Sequence, residues 1–388
     1  MDACDVLIVG AGPAGSSCAW GLRNSGLDVA ILDRQTFPRD KICGGWITPQ
    51  VLSELGIDPA EYSEGRVLQP ITGFRTGWIG GPALDTGYNV TVSYGIRRRE
   101  FDDYLLRRSG ARLIEGVALA SLQRENSSWI VNGSTKTRLL VGAGGHFCPV
   151  AKLTGAKRAR ENAVVAQEAE FEMDDRQQAG CRVRADTPEL YFCADIKGYG
   201  WCFRKNNYLN IGLGRLDQHR LGEHVAAFVR FLKSAGRISF DVPSALLGHA
   251  YLLYGVSERK VADDGVLLIG DAAGLAYKQS GEGIRPAIES GLLAARIVAA
   301  AQGNYSRESL VAYQELLKRR FGTTSDKDWA SRVAEHIPSA WIGALGRRLL
   351  GARWFVRDVV IDRWFLHANE PALGLEYGAA RRAVAGPQ

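Results

Sequence analysis

The chain has 388 residues, of which 46% are hydrophobic, and a formal net charge of +6 at pH 7. This composition predicts a folded protein large enough for two connected domains, and the modest charge without a basic stripe excludes dedicated nucleic-acid binding. The seven cysteines occur singly, so neither a disulfide framework nor a metal site is predicted. No apolar run approaches a membrane span and no signal peptide is found, so we expect a cytoplasmic protein.

The N-terminus carries the pattern of a dinucleotide-binding βαβ unit. An apolar strand at residues 5–9 runs into GAGPAG at 10–15, and a second strand at 28–32 ends at Asp33. The glycines permit a sharp turn and a close approach of the backbone to a pyrophosphate, and a terminal acid can bind a ribose hydroxyl. Because strand, helix, strand and acid occur in this order, the pattern indicates dinucleotide binding.

The next segment, residues 34–46, is too long and too unusual in composition for a simple connection. It contains basic residues, the thiol of Cys43 and the glycine pair Gly44 and Gly45. Glycines allow close backbone approach, so we expect this loop to lie against an anionic, planar ligand. A flexible surface loop is the alternative.

Short strands are predicted over 66–95 and 163–256, with a helix near 222–235. Residues 88–94 are among these strands. In the strand that contains Tyr199, Trp201 and Phe203, the alternate spacing predicts that the three aromatic side chains share one face of a sheet. They could line an apolar channel, or they could pack in an ordinary core.

The last ninety residues have a helical pattern. Residues 341–366 carry apolar side chains near helical spacing, interspersed with arginines at 347, 348, 353, 357 and 363. Such a helix either packs on its own protein or lies on an anionic membrane surface. Peripheral membrane contact through the C-terminal helices is therefore an open prediction.

These motifs together resemble the FAD-dependent oxidoreductases of the p-hydroxybenzoate hydroxylase fold. The resemblance rests on GAGPAG at 10–15, Asp33, RREFDDYL at 98–105 and GDAAG at 270–274. Within that fold, KICGG at 41–45 and YGWCFRK at 199–205 resemble the marks of the geranylgeranyl reductase family, whose members reduce isolated C=C bonds in prenyl chains.

The resemblance implies an α/β protein with a Rossmann-type FAD-binding domain, an inserted antiparallel β-sheet substrate domain and a helical C-terminal region. The expected boundaries are 1–62, 96–162 and 257–300 for the FAD-binding domain, 63–95 and 163–256 for the substrate domain, and 301–388 for the C-terminal region. The substrate implied is a prenyl lipid or another hydrophobic molecule. The electrons would come from NADPH, ferredoxin or a flavin reductase.

By the same resemblance, the cofactor is FAD and its binding residues are Gly10, Gly12, Pro13, Ala14, Gly15, Asp33, Arg34, Lys41, Cys43, Gly44, Arg98, Gly270, Asp271, Gly281, Gly283 and Ile284. The substrate would contact Trp46, Tyr199, Trp201 and Phe203. Trp46 stands where the family has a third glycine, and Arg204 replaces the proline of the family pattern. Cys43 is the candidate catalytic residue, as a proton donor or as a side chain that shapes the flavin face.

Three alternatives remain from the sequence. The protein could be a flavin-dependent monooxygenase, although Gly144 stands where hydroxylases of this fold carry an acid. It could be a halogenase, although YGWCFRK at 199–205 departs from the Trp-x-Trp-x-Ile-Pro signature. It could also bind flavin as a sensor without catalysis, because one fold serves many functions.

Overall fold

The computed structural model describes residues 1–158, 161–217, 219–256, 259–322, 346 and 348–374. The strands of this described part are β1 (Asp2–Val9), β2 (Val29–Asp33), β3 (Trp46–Ile47), β4 (Leu68–Ile71), β5 (Gly73–Trp78), β6 (Ala83–Gly87), β7 (Ser93–Ile96), β8 (Arg112–Glu115), β9 (Leu122–Glu125), β10 (Ser128–Val131), β11 (Thr135–Gly142), β12 (Ala163–Glu172), β13 (Glu189–Phe192), β14 (Gly198–Lys205), β15 (Tyr208–Arg215), β16 (Leu247–Leu252), β17 (Ala262–Asp263) and β18 (Val266–Leu268). Its helices are α1 (Pro13–Leu22), α2 (Pro49–Glu54), α3 (Pro59–Ser63), α4 (Arg98–Arg108), α5 (Pro149–Leu153), α6 (Asp175–Ala179), α7 (Leu221–Ser234), α8 (Ile284–Ala300) and α9 (Arg307–Phe321). A 3₁₀ turn covers Gly270–Ala272, and a π-helical segment covers Phe355–Phe365.

The first sheet has the order β17-β18-β11-β1-β2-β8, with β10 and β9 added beside β11. Its strands β18, β11, β1, β2 and β8 run parallel. The central strand β1 buries Val6, Leu7 and Ile8 completely, as expected for a parallel strand covered on both faces. The predicted βαβ unit is therefore confirmed as β1, α1 and β2, and Asp33 is the last residue of β2.

The second sheet has the order β16-β12-β15-β14-β13-β5-β6. The predicted antiparallel sheet is confirmed, and one pair in it departs from that pattern, because β5 pairs with β13 in the parallel direction. Strand β5 comes from an earlier part of the chain than β13, so the two strands are not joined by a hairpin that would force opposite directions. A third, small sheet has the order β3-β7-β4.

The predicted strand at 88–94 is also displaced, because the observed strand β7 begins only at Ser93. The amides of Tyr88 and Val92 donate single hydrogen bonds to the carbonyls of Thr72 and Ile71, at 2.8 and 2.9 Å. These isolated bonds hold the segment without forming a ladder. The helix expected near 222–235 is confirmed as α7.

The two faces of the second sheet bury different sets of side chains. Helix α7 covers one face, where Phe228 packs in a core with Cys202. The opposite face carries Trp201 and Phe203 and is covered by the π-helical segment, in a core that Tyr199 borders. The predicted alternation along β14 is therefore confirmed.

The π-helical segment buries Val356, Val360, Ile361 and Phe365 against the second sheet. This part of the C-terminal region thus packs on its own protein. Residues 341–345 and 347 of the predicted amphipathic helix lie outside the described residues. In the described part of the chain, no helix combines the length and the apolar character that crossing a membrane would require.

Candidate functional site

A cavity of about 1240 Å³ is bounded by the carboxyl ends of β1 and β2 on one side and by β12, β14 and β16 on the other. This volume exceeds the roughly 300–1,000 Å³ of a site for one drug-sized ligand, so a dinucleotide and a second molecule can be accommodated together. The sequence-predicted site residues all line this cavity except Gly15 and Gly270. The structure thus brings together segments that lie far apart in the chain.

The glycines of the first turn serve close packing. Gly10 has a φ of +115°, and a Cβ atom there would lie 2.4 Å from the carbonyl oxygen of Ala143. A Cβ atom at Gly15 would lie 1.9 Å from the carbonyl oxygen of Gly10, and one at Gly270 would lie 2.9 Å from Cβ of Ala14. Gly15 and Gly270 therefore stand behind the turn and allow it to pack, whereas Gly10 and Gly12 face the cavity.

The start of α1 offers hydrogen-bond donors to an anion. The first amides of a helix have no acceptor within it, and the first turn, PAGS at 13–16, contains no acid. Arg39 adds a half-buried guanidinium, which pairs with Asp102 through Nη2 at 3.3 Å and whose buried Nη1 has no hydrogen-bond partner among the described residues. Its Nη2 lies 3.6 Å from the position of a Cβ atom at Gly12. These donors fit the pyrophosphate of FAD.

Asp33 and Arg98 place opposite charges on the wall of the cavity. Asp33 accepts the amide hydrogen of Ala11 at 2.8 Å, which fixes its carboxylate beside the turn where a ribose is expected. Arg98 donates through Nε and Nη2 to Asp102, each at 2.7 Å. Burial lowers the pKa of Arg98, but the charge of Asp102 and these hydrogen bonds outweigh burial and raise it. Arg98 is therefore a fixed positive charge.

Lys41, His249 and Asp271 form a chain of titratable groups along the cavity. Lys41 Nζ lies 3.1 Å from His249 Nδ1, and His249 Nε2 lies 3.7 Å from Asp271 Oδ2. Burial, together with the charge of Arg98, lowers the pKa of Lys41 to about 8. Burial raises the pKa of Asp271, but the hydrogen bond with His249 and the charges of Lys41 and Arg98 lower it overall. His249 was not predicted from the sequence.

The peptide of Cys43 is held on both sides by the second sheet. Its amide hydrogen bonds to Oε1 of Glu168 on β12, and its carbonyl accepts from Nδ2 of Asn210 on β15 at 3.1 Å. Asn210 also accepts the indole hydrogen of Trp201 at 2.7 Å. A Cβ atom at Gly44 would lie 3.3 Å from the ring of Phe203. The loop at 34–46 is thus pressed against the aromatic face.

Two carboxyl groups of the cavity wall are poised to hold protons. Glu168 is 3% exposed, and burial raises its pKa to about 7 although Lys205 and the amide of Cys43 oppose the shift. Burial also raises the pKa of Glu282 to about 7, against the opposing hydrogen bond from the amide of Arg285. A carboxyl group with such a pKa can give up a proton near neutral pH.

An aromatic cluster closes one side of the cavity. The ring of Trp46 stacks on Phe203 with centroids 5.5 Å apart and contacts Phe74 and Phe365 at 5.6 and 5.3 Å. Phe365 belongs to the π-helical segment and also lines the cavity. The C-terminal region therefore contributes to the site, which the sequence did not predict.

Sequence reasoning missed Arg39, Glu168, Asn210, His249 and Phe365. The sequence did contain a signal for Glu168. Ala166, Glu168 and Glu170 occupy alternate positions of one predicted strand, so their side chains share one face of the sheet, as the aromatic side chains of β14 do. Within the described ranges, no group of three or more His, Cys, Asp or Glu side chains is arranged to hold a metal ion.

Comparisons with known proteins agree with this geometry. The family described as FAD dependent oxidoreductase matches residues 5–73. The chain is 30% identical over 345 residues to the menaquinone reductase of Mycobacterium tuberculosis, with 83% of this chain and 81% of that protein covered. It is 26% identical over 346 residues to the digeranylgeranylglycerophospholipid reductase of Methanocaldococcus jannaschii, covering 82% and 83%.

Among solved structures, a geranylgeranyl bacteriochlorophyll reductase-like protein from Thermoplasma acidophilum is similar with a TM-score of 0.75. It is 22% identical, and 90% of this chain and 91% of that chain are covered. A likeness at this identity shows a shared fold.

Proposed function

The chain belongs to the geranylgeranyl reductase family of FAD-dependent oxidoreductases, and from this premise we propose that it reduces isolated C=C bonds of a prenyl lipid or a similar hydrophobic substrate. When bound and reduced, FAD supplies the hydride for such a reaction. The observation that carries the proposal is one continuous cavity, which has phosphate-binding donors at the start of α1 and an aromatic wall on β14.

The aromatic wall suits an alkene without polar groups. Trp201 and Phe203 are 8% and 6% exposed, and both face the cavity with Tyr199. The hydroxyl of Tyr199 donates to the carbonyl of Ser280, so its polar end is already satisfied within the protein. Such a wall binds a hydrocarbon chain and keeps water away from the reacting carbons.

Cys43 is proposed to stand at the reacting centre and to shape it. Its thiol interacts with the guanidinium of Arg98, and its peptide is held by Glu168 and Asn210. A residue fixed on so many sides can define the distance between the cofactor and the chain of the substrate.

The electron donor is proposed to be NADPH, ferredoxin or a flavin reductase, acting without an acid at position 144. A Cβ atom at Gly144 would lie 3.1 Å from Cδ of Pro149 and 3.2 Å from Cα of Cys148. A larger side chain would therefore be crowded at this position. This argues against direct use of NADPH in the way that the hydroxylases of this fold use it, with an acid at this position.

Peripheral membrane contact is proposed for delivery of the lipid, from a cytoplasmic location. The π-helical segment covers the aromatic side of the cavity, and the preceding Trp354 is 60% exposed between Arg353 and Arg357. An exposed indole beside arginines suits the boundary between lipid head groups and acyl chains.

The proposal is tested by reducing the purified flavoprotein chemically without oxygen and mixing it with a geranylgeranyl lipid. The fully saturated lipid is the matched control, because it has the same carbon skeleton and head group and no C=C bond. We expect the absorbance of oxidised flavin to return with the alkene and not with the saturated lipid. Absence of reoxidation with every prenyl lipid tried, from a protein that reacts rapidly with oxygen, would overturn the proposal.

A further inference from the structure

Glu168 occupies an unusual place for a carboxylic acid. It lies on the face of β12 that points into the cavity, and a Cβ atom at Gly212 would meet both Cβ of Glu168 and the ring of Trp201, at 2.7 and 2.3 Å. Gly212 therefore leaves room for the acid and the indole to lie side by side. Buried acids are rare unless they are paired or take part in function.

The charged groups around Glu168 are already paired with other residues. Lys205 on β14 is bound by Glu170 at 2.6 Å, and Lys41 lies 3.1 Å from His249. Among the described residues, no cation lies within ion-pair distance of Glu168 itself. The titratable groups that face it are Lys205 from β14, Glu170 from its own strand, Lys41 and Cys43 from the loop, and His249 and Tyr251 from β16.

One carboxyl oxygen of Glu168 has a structural task. Oε1 accepts the amide hydrogen of Cys43, and this bond leaves Oε2 uninvolved. The atoms of Glu168 border the same cavity as Trp201 and Phe203. An acidic proton on Oε2 would therefore lie at the aromatic wall and beside the proposed reacting centre.

We propose that Glu168 is the acid that protonates the alkene, an inference that rests on the proposed function. In this step the C=C π bond breaks and two C–H bonds form. One carbon takes the hydride that the reduced cofactor supplies, and the other takes the carboxyl proton. Glu168 is left as a carboxylate, which regains its proton from water before the next turnover.

Glu282 is less suited to this task, although it also lines the cavity. Its Oε1 accepts the amide hydrogen of Arg285 at 2.7 Å, so it caps the first turn of α8. Among the described carboxylates, Glu168 is the one that accepts a hydrogen bond from Cys43.

The test is the variant Glu168→Gln, which retains an oxygen for the amide of Cys43 and loses the proton. We expect normal FAD content and normal chemical reduction, but a single-turnover reoxidation by prenyl lipid slowed about a hundredfold or more. The matched control is Glu172→Gln, on the same strand, where the side chain is exposed and bonds to Asn207 and Tyr208. This control should react at the wild-type rate.

The pH profile separates an acid from a merely structural side chain. Because Glu168 has a raised pKa of about 7, its proton is present below that pH and is lost above it. With FAD kept saturating at every pH, the wild-type reoxidation rate should therefore fall about tenfold per pH unit above neutrality, and the profile of Glu168→Gln should be flat. A wild-type rate and an unchanged profile in the variant would overturn the inference.

A second measurement does not depend on turnover. Infrared difference spectra of the wild-type flavoprotein should show protonated carboxyl absorbance from Glu168 and Glu282 that disappears as the pH rises through neutrality. The part that belongs to Glu168 should be missing in Glu168→Gln. An identical band in the variant would contradict the assignment of the proton to Glu168. If the band were missing in Glu168→Gln but the wild type reduced no prenyl lipid, the proposed function would fail and the assignment of the proton to Glu168 would stand.

Discussion

The carboxylate of Glu168 accepts the amide hydrogen of Cys43, and this bond joins residues that lie 125 positions apart. It connects the second sheet to a loop that has no regular secondary structure between Asp33 and Trp46. The position of Cys43 is thus determined by tertiary hydrogen bonds from Glu168 and Asn210. Changes at these partners should act on the loop, and through it on the cavity.

Asn210→Ala should destabilise the protein. The change leaves the indole hydrogen of Trp201 and the carbonyl of Cys43 without their partner, and each unpaired buried group costs about 1–3 kcal/mol. We expect a lower midpoint in urea unfolding of the FAD-free protein. The control is Asn207→Ala, whose side chain bonds to Glu172 at the surface and should cost less than about 1 kcal/mol. Equal effects of the two changes would contradict the role of Asn210.

Gly12→Ala should weaken FAD binding without unfolding the protein. A Cβ atom at Gly12 meets no protein atom closer than Arg39 Nη2 at 3.6 Å, so the polypeptide tolerates it, but the methyl group would point where the pyrophosphate is expected. We expect FAD affinity to fall tenfold or more in fluorescence titrations, about 1.4 kcal/mol or more. Gly87→Ala, which meets nothing within 4 Å, is the control. Unchanged affinity in Gly12→Ala would place the phosphates elsewhere.

Lys41 should make FAD affinity depend on pH. Its lowered pKa of about 8 means that the ammonium charge is present below that pH and is lost as the pH rises through it. An anionic ligand favours the charged form of Lys41. The affinity for FAD should therefore fall as the pH rises from about one pH unit below this pKa to about one pH unit above it. Dissociation constants measured across that range check the prediction. Lys41→Arg remains charged throughout, and an undiminished pH dependence in this variant would exclude Lys41 as the cause.

The first βαβ unit could be predicted because its signals are local. Residues 5–33 contain the apolar strand, the glycines and the terminal acid in one continuous stretch, and the side chains of β14 alternate by the geometry of any strand. These patterns need no knowledge of distant contacts. They were sufficient to predict dinucleotide binding and a shared aromatic face, whereas the other site residues were predicted only from the resemblance to the family.

The rest depends on contacts between distant parts of the chain. Nothing near Cys43 in sequence indicates Glu168 or Asn210, and nothing in the C-terminal pattern indicates that Phe365 reaches Trp46. The parallel pairing of β5 with β13 likewise joins segments more than a hundred residues apart. Such contacts follow from the packing of whole sheets, which periodicity alone does not encode.

Trp46→Leu should extend the range of substrate chain lengths. The indole fills the space between Phe74, Phe203 and Phe365, so a smaller side chain opens this end of the cavity. We expect the variant to reoxidise with longer prenyl chains than the wild type accepts. Trp46→Phe keeps an aromatic ring, and the range of chain lengths it accepts should lie between those of the wild type and Trp46→Leu. Product masses across a series of prenyl lengths check this, and an identical range in all three proteins would show that Trp46 does not limit the chain.

The central claim is that the protein adds hydrogen to an alkene, and the mass of the product tests it most directly. The chemically reduced flavoprotein is mixed with a geranylgeranyl lipid, once without oxygen and once under oxygen-18. The account predicts a product two hydrogens heavier in the anaerobic reaction, and no oxygen-18 in the product of either reaction. No product without oxygen, together with an oxygen-18 label in the product formed under oxygen, would contradict it and assign the protein to the monooxygenases.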